Sequence, residues 1–164
     1  MKKRLERIEF FKKYPIETQQ SVLDELIQTA RFTDWGTRYN YGQIKTAQEF
    51  AEQVPVSTYE DLFPYIERVL KGEPNVLWPT ATEWFSKSSG TTNARSKYIP
   101  VSEESLEECH YKGGKDLLTL YSYNRPDTTV FTGKGLSIGG ALHANPYNPD
   151  TKAGDISAII VNNL

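Results

Sequence analysis

The sequence predicts an α/β fold in which amino-terminal helices pack on part of a mixed β-sheet. Apolar residues recur every three or four positions in residues 1–72, which is the helical period. In residues 73–164 the apolar runs are short and rich in aromatic and β-branched residues, as in strands, with one further helical stretch among them. The chain has 164 residues, 38% of them hydrophobic, so it can bury one core and we treat 1–164 as a single segment.

The helices of residues 1–72 are delimited by local signals. Tyr14-Pro15 breaks the first long apolar pattern into two helices. Thr46 and Thr58 each stand at the N-cap position, and an acidic residue follows three positions later. Lys71-Gly72 ends the last of these helices. The predicted helical stretches are Leu5–Phe11, Val22–Ala30, Thr46–Phe50 and Thr58–Leu70.

Residues 73–164 are expected to contain several short strands. The runs that fit are Val76–Trp78, Thr82–Ser86, Lys97–Val101, Thr129–Phe131 and Leu136–Ile138. Ser102 is predicted to cap a long helix between the third and fourth of them. The apolar face of that helix is predicted to contain Leu106, Cys109, Gly113, Leu117 and Leu120.

The chain ends on the apolar run Ile156–Val161, which is typical of a buried element, with three residues after it. Neither turn residues nor a polar tail follow, so we expect the chain to be truncated. A natural carboxy-terminal strand is the alternative. Truncation would leave sheet edges exposed, and exposed edges favour self-association.

A loop rich in hydroxyl groups separates the predicted strands Thr82–Ser86 and Lys97–Val101. It reads Ser88-Ser89-Gly90-Thr91-Thr92-Asn93-Ala94-Arg95-Ser96-Lys97. Hydroxyl groups can donate to phosphate oxygens, and a glycine lets backbone N–H groups turn toward an anion. Lys97 could add a positive charge. The pattern indicates a polyphosphate site, with an ordinary turn as the alternative. Its spacing matches neither the Walker motif nor the dinucleotide fingerprint.

Composition limits the classes of partner. The formal net charge is −2, so no overall field attracts nucleic acid or an anionic membrane. No segment is long and apolar enough to span a bilayer, and no signal peptide is recognisable. A single cysteine, Cys109, fits a reducing compartment. We therefore expect a cytoplasmic protein that binds neither nucleic acid nor membrane.

Two histidines are weak candidates for chemistry. His110 follows Cys109, but no second cysteine or spaced histidine completes a ligand set, so no metal site is predicted. His143 is interpreted as a loop residue. No catalytic residue is assigned.

The loop resembles the first nucleotide motif of a known family. Ser88-Ser89-Gly90-Thr91, a six-residue interval that ends in Lys97, and Pro100 are similar to that motif in the auxin-responsive acyl acid amido synthetases of the Gretchen Hagen family, in a bacterial branch. Ala94 stands where that family commonly has a glycine. Further similar positions are Trp35-Gly36, Val54-Pro55, Tyr59-Glu60, Tyr65-Ile66, Gly72-Glu73 and Gly133-Lys134-Gly135-Leu136.

The resemblance implies the amino-terminal part of the large domain of an adenylate-forming, luciferase-like enzyme. The implied ligase uses Mg²⁺ and ATP to convert a carboxylic acid to an acyl-adenylate, from which an amino acid then displaces AMP to form an amide. The alternatives are a non-catalytic binding module and an acyl-CoA ligase-like enzyme.

The resemblance also implies roles within the loop. Ser89, Gly90, Thr91 and Thr92 would contact phosphate, Ser88 and Asn93 would shape the loop, and Arg95 or Lys97 would supply the cation. The adenine, ribose and main acyl sites are expected beyond Leu164, so the chain alone is expected to be inactive.

Overall fold

The computed structural model describes residues 2–88 and 96–163. Its helices are α1 (Lys2–Lys13), α2 (Pro15–Ala30), α3 (Asp34–Arg38), α4 (Ala47–Gln53), α5 (Tyr59–Leu70), α6 (Glu103–Ser105), α7 (Lys112–Asn124) and α8 (Ile156–Asn162). A π-helical segment, Leu106–Tyr111, joins α6 to α7, and Tyr41–Gln43 form a 3-10 helix. The strands are β1 (Trp84–Lys87), β2 (Tyr98–Val101), β3 (Leu142–Asn145) and β4 (Asn148–Gly154). The predicted α/β class is confirmed.

The four strands form one mixed sheet in the order β2-β1-β4-β3. β1 pairs antiparallel with β2 and parallel with β4, and β3 pairs antiparallel with β4. β1 is therefore an inner strand, whereas β2 lies at an edge. The loop predicted to bind phosphate connects these two neighbouring strands.

The main core lies between α5 and the centre of the sheet. Phe85 of β1 is fully buried and lies opposite Ala153 of β4. Ile66, Val69 and Leu70 of α5 pack against both in one cluster. Smaller clusters form around Ile27, Ala30, Tyr41 and Ile44, and around Val101, Leu106 and Ile159.

The predicted capping box at Thr46 and the predicted N-cap at Thr58 are confirmed, and Thr58 also forms a capping box. The Thr46 hydroxyl accepts a hydrogen bond from the Glu49 amide (3.1 Å), and the Glu49 carboxylate accepts one from the Thr46 amide (3.1 Å). At α5 the Thr58 hydroxyl accepts from the Asp61 amide (3.2 Å), and Asp61 accepts from the Thr58 amide (2.8 Å). These bonds satisfy amides that have no partner inside the first helical turn. The predicted break between the first two helices is also correct, because α2 begins at Pro15.

The strand predicted at Val76–Trp78 is wrong. The backbone there bonds instead to the start of α3, a helix that the sequence analysis did not predict. The carbonyls of Asn75 and Val76 accept hydrogen bonds from the amides of Asp34 (3.0 Å) and Trp35 (3.1 Å). A helix start needs acceptors for its first amides, and this segment supplies them.

The strands predicted at Thr129–Phe131 and Leu136–Ile138 are also wrong. The Thr132 amide donates to the Thr129 carbonyl (2.8 Å) in a turn, and Gly133 has a φ of +92° in the left-handed region. Leu136 and Ile138 are almost fully exposed. The other two strands of the sheet are β3 and β4, whose polar sequences gave little strand signal. β4 pairs with β1 and β3 pairs with β4, so strand pairing outweighed local propensity.

The terminal apolar run is buried only in part, since Val161 is 49% exposed, and it forms the helix α8 and not a strand. Ala158 and Ile159 are its buried residues. A short continuous apolar run fits a buried helix as well as a buried strand, so periodicity alone could not separate them.

The long helix after Ser102 is confirmed, and Ser102 accepts the predicted cap bond from the Ser105 amide (3.1 Å). Its predicted apolar face is wrong beyond Leu106. Thr119 is buried, whereas Leu117 is 69% exposed. The π-helical segment has more residues in each turn than an α-helix, so the faces on its two sides do not align as a 3.6-residue period predicts.

Replacing the central core residue should strongly destabilise the fold. Phe85→Ala is expected to lower the free energy of unfolding by about 3–5 kcal/mol, since it opens a cavity at a fully buried site. Urea unfolding of the chain would measure the change. Ile99→Ala, at a half-exposed position on β2, is the control and should cost much less. Equal losses would contradict the burial pattern.

The capping box of α5 predicts a pH dependence. The hydrogen bond from the Thr58 side chain holds the pKa of Asp61 below its usual value of 3.8. The stability that this bond adds is therefore fully present above pH 3.8 and is lost as the pH falls through the lowered pKa. Carboxyl NMR titration should show the Asp61 midpoint rise in Thr58→Ala and stay low in Thr58→Ser. The same midpoint in all three proteins would refute this link.

Candidate functional site

The loop of residues 88–97 begins and ends at a closed pair of residues at one end of the sheet. The Ser88 amide donates to the Lys97 carbonyl (3.0 Å), and the Lys97 amide donates to the Ser88 hydroxyl (3.2 Å). The second bond uses a side chain in place of a backbone carbonyl. The two ends of the loop are therefore held together beyond the last paired residues of the strands, Lys87 and Tyr98.

Helix α5 holds the exit of the loop through the hydroxyl of Tyr59. This hydroxyl accepts a hydrogen bond from the Tyr98 amide (2.9 Å) and donates one to the Tyr98 carbonyl (3.3 Å). Because β2 lies at an edge of the sheet, these two groups of Tyr98 have no partner strand among residues 2–88 and 96–163. Burial raises the pKa of Tyr59, so the hydroxyl keeps the proton that it donates.

The side chain of Lys97 lies beside the first two residues of α5, Tyr59 and Glu60. Its ammonium is 4.8 Å from the centre of the Tyr59 ring and 3.7 Å from Oε1 of Glu60. The side chain of Lys97 is 43% exposed, so an anion from solvent can reach it. The Glu60 side chain is 74% exposed, which weakens its attraction for the ammonium.

The opposite side of the loop exit is also aromatic. The ring of Tyr98 meets the ring of Tyr147 edge to face at 6.1 Å. Lys87, the last residue of β1, places its ammonium 5.6 Å from the centre of the Tyr98 ring. A tyrosine ring therefore lies next to the cation at each strand end. Tyr98 lies next to Lys87, before the loop, and Tyr59 lies next to Lys97, at the end of the loop.

Two of the residues predicted for the site are described, and the structure brings them together: Ser88 and Lys97. The other predicted site residues, Ser89, Gly90, Thr91, Thr92, Asn93 and Arg95, lie outside the described residues. The role of each residue in the loop stays a prediction.

Sequence reasoning missed Tyr59 and Tyr98 as parts of this site. In the sequence, Tyr59 stands out only as a position similar to the family. A second indication is its position directly after the N-cap residue Thr58. Its contact with Tyr98 spans 39 residues, which no local pattern reveals.

The other candidates lie apart from the loop ends. Cys109 is exposed in the π-helical segment beside His110. The interpretation of His143 as a loop residue is wrong, because it pairs with Ala153 in β3, where it is exposed. Within residues 2–88 and 96–163 no group of three or more His, Cys, Asp or Glu side chains is placed to hold a metal ion.

A cleft of about 360 Å³ lies between α3 and the region around the start of α5. Its lining residues are Trp35, Arg38, Tyr39, Pro55, Val56, Ser57, Asp61 and Tyr65. Neither Tyr59 nor Lys97 lines it, so this cleft is separate from the ends of the loop.

A comparison with protein-family profiles identifies the family of this chain. The profile described as "GH3 family N-terminal domain" matches residues 4–164. The chain belongs to the GH3 family. The predicted family is thereby confirmed, while its assignment to a bacterial branch stays a prediction.

Two curated plant proteins are similar to the chain. The chain is 35% identical over 143 residues to the indole-3-acetic acid-amido synthetase GH3.2 of Arabidopsis thaliana, a match that covers 86% of the chain and 24% of the relative. It is 33% identical over 123 residues to the jasmonoyl-L-amino acid synthetase JAR4 of Nicotiana attenuata, which covers 74% of the chain and 20% of the relative. The chain therefore spans about a quarter or less of these relatives.

A solved GH3 structure has the same fold. The acyl acid amido synthetase AtGH3.15 in complex with 2,4-DB superposes with a TM-score of 0.79 at 24% identity. The match covers 98% of this chain and 28% of that one. The comparison confirms the predicted α/β fold. None of the described helices could cross a membrane.

Proposed function

We propose that the loop between β1 and β2 binds the phosphates of ATP in an acid-amido synthetase. The observation that supports this proposal is the hydrogen-bonded pair of Ser88 and Lys97 at one end of the sheet, where the ammonium of Lys97 is accessible from solvent. Membership of the GH3 family and the names of the curated relatives support the ligase assignment.

The described residues at the loop ends fit a polyanion. The Lys97 ammonium is accessible, and its carboxylate neighbour Glu60 is exposed and 3.7 Å away, so the pair is weak. A phosphate group carries more charge than one carboxylate and can replace Glu60 as the partner. Ser88 is engaged with the Lys97 amide, which suits a role in shaping the loop.

Within the loop we assign phosphate contacts to Ser89, Gly90, Thr91 and Thr92. Asn93 is assigned to loop shape, and Arg95 is a second candidate cation beside Lys97. These assignments rest on residue chemistry, since hydroxyls and backbone amides in a glycine-containing loop donate to phosphate oxygens.

The proposed reaction needs charge control. A carboxylate attacks the α-phosphorus of ATP and pyrophosphate leaves with the negative charge; the amine of an amino acid then attacks the activated carbonyl and AMP leaves. Lys97 and the loop donors would stabilise charge on the leaving pyrophosphate. Mg²⁺ is proposed as the ion that accompanies the ATP phosphates and shields their charge.

A cytoplasmic location is part of this proposal and is supported by the single cysteine.

Removing two proposed phosphate contacts should weaken nucleotide binding. We expect Thr91→Ala with Lys97→Ala to raise the Kd for Mg-ATP at least about tenfold, since hydrogen bonds to charged groups contribute about 1.5–3 kcal/mol each. Calorimetry on the complete protein that carries this chain would measure it. Carboxylate-dependent pyrophosphate exchange should fall in parallel, with indole-3-acetic acid and jasmonic acid as probes.

The matched control is Thr29→Ala with Lys71→Ala. Lys71 lies 3.3 Å from Glu67 at the opposite end of α5, and Thr29 is exposed on α2, so the control removes the same side chains away from the loop. It should leave ATP binding unchanged. An unchanged Kd in the first pair, or an unmodified protein that does not bind Mg-ATP, overturns the phosphate site. ATP binding without exchange would support the non-catalytic alternative and overturn the ligase assignment.

A further inference from the structure

We infer that Tyr59 is a positioning residue for Lys97, and that α5 thereby determines the position of the Lys97 ammonium. This inference rests on the proposed function, since it gives Lys97 a reason to be held. Its central contacts join Tyr59 and Glu60 of α5 to Lys97 and Tyr98 at the loop exit.

The first step is the hydroxyl of Tyr59, which fixes the backbone beside Lys97. Adjacent residues of a strand direct their backbone groups to opposite sides. Lys97 turns its amide and carbonyl toward Ser88, and Tyr98 turns its own toward Tyr59. The Tyr59 hydroxyl occupies the position of a missing neighbouring strand, because it both accepts from and donates to Tyr98. The backbone at the loop exit is thus held from both sides.

The second step is the ring of Tyr59, which holds the side chain. The Lys97 ammonium is 4.8 Å from the ring centre, within the range of a cation–π contact. The corresponding distances are longer for Lys87 over Tyr98 (5.6 Å) and Lys152 over Trp84 (5.8 Å). One tyrosine therefore fixes both the main chain next to Lys97 and the charge at the end of its side chain.

The third step is the support behind Tyr59. This tyrosine is the first residue of α5, whose capping box at Thr58 and buried face at Ile66 and Leu70 hold it on the sheet. Glu60 follows on the same helix with its carboxylate 3.7 Å from the ammonium. A cation placed by a rigid helix needs less ordering when a phosphate arrives, so its attraction is used more fully.

NMR on the chain without nucleotide tests the geometry. Lys97 ε-protons over the Tyr59 ring should show an upfield ring-current shift that is lost in Tyr59→Leu and kept in Tyr59→Phe. The Tyr98 amide should exchange with solvent about fivefold faster in Tyr59→Phe, because it loses its hydroxyl partner. A Lys97 shift that does not respond to Tyr59→Leu overturns the inference, whatever the loop binds.

A double-mutant cycle on the complete protein tests the role. Lys97→Ala should raise the Kd for Mg-ATP about tenfold in the unmodified background and at most about twofold when Tyr59 is already Leu. Tyr59→Phe, which keeps the ring, should restore most of the effect of Lys97. Tyr65→Leu is the matched control, because Tyr65 is a half-buried tyrosine of α5 whose hydroxyl bonds to Arg38 (2.9 Å), away from the loop.

The outcomes separate the two proposals. If Lys97→Ala leaves the Kd unchanged, the proposed role of Lys97 in phosphate binding fails, and the NMR shifts alone decide whether Tyr59 holds Lys97. If Lys97→Ala weakens binding equally in the unmodified, Tyr59→Leu and Tyr65→Leu backgrounds, Tyr59 is only structural and this inference is overturned. Coupling confined to Tyr59 supports it.

Discussion

Phe85 of β1 and Ala153 of β4 are opposite each other in the parallel centre of the sheet, and α5 covers both with Ile66, Val69 and Leu70. This one packing contact joins residues from three distant parts of the sequence. Burial of apolar surface drives it, and the close packing of such cores leaves little freedom for the helix to shift. The position and tilt of α5 on the sheet are set here.

The loop ends depend on that position. α5 is buried through the residues near its carboxyl end, and its first residues, Tyr59 and Glu60, extend to the strand end where the loop begins and closes. The hydroxyl of Tyr59 then bonds to an edge strand whose backbone groups would otherwise lack protein partners. Core packing and the site are therefore linked through a single helix, with the apolar half serving stability and the polar start serving the loop.

The sequence predicted those features that arise from residues close together in the chain, and it failed for those that arise from distant contacts. Thr46 and Glu49 lie three residues apart, so their capping box could be predicted directly from the sequence. The strand Asn148–Gly154 owes its conformation to pairing with β1, more than sixty positions earlier, and its polar residues gave no local signal. The loop could be recognised by its residue types, whereas the contact between Tyr59 and Tyr98 depends on how α5 docks. Apolar runs such as Ile156–Val161 fit two kinds of buried element, and only the packing chose between them.

The π-helical segment Leu106–Tyr111 determines which side chains of α7 face α1. Arg4 of α1 binds Asp116 of α7 through two hydrogen bonds of 2.6 and 2.5 Å, so α7 must present that side chain to α1. Each residue of an α-helix turns the chain by about 100°, so a segment one residue shorter would rotate everything beyond it by about that angle. Asp116 would then face away from Arg4. The number of residues in this segment thus determines which face of α7 is turned toward α1.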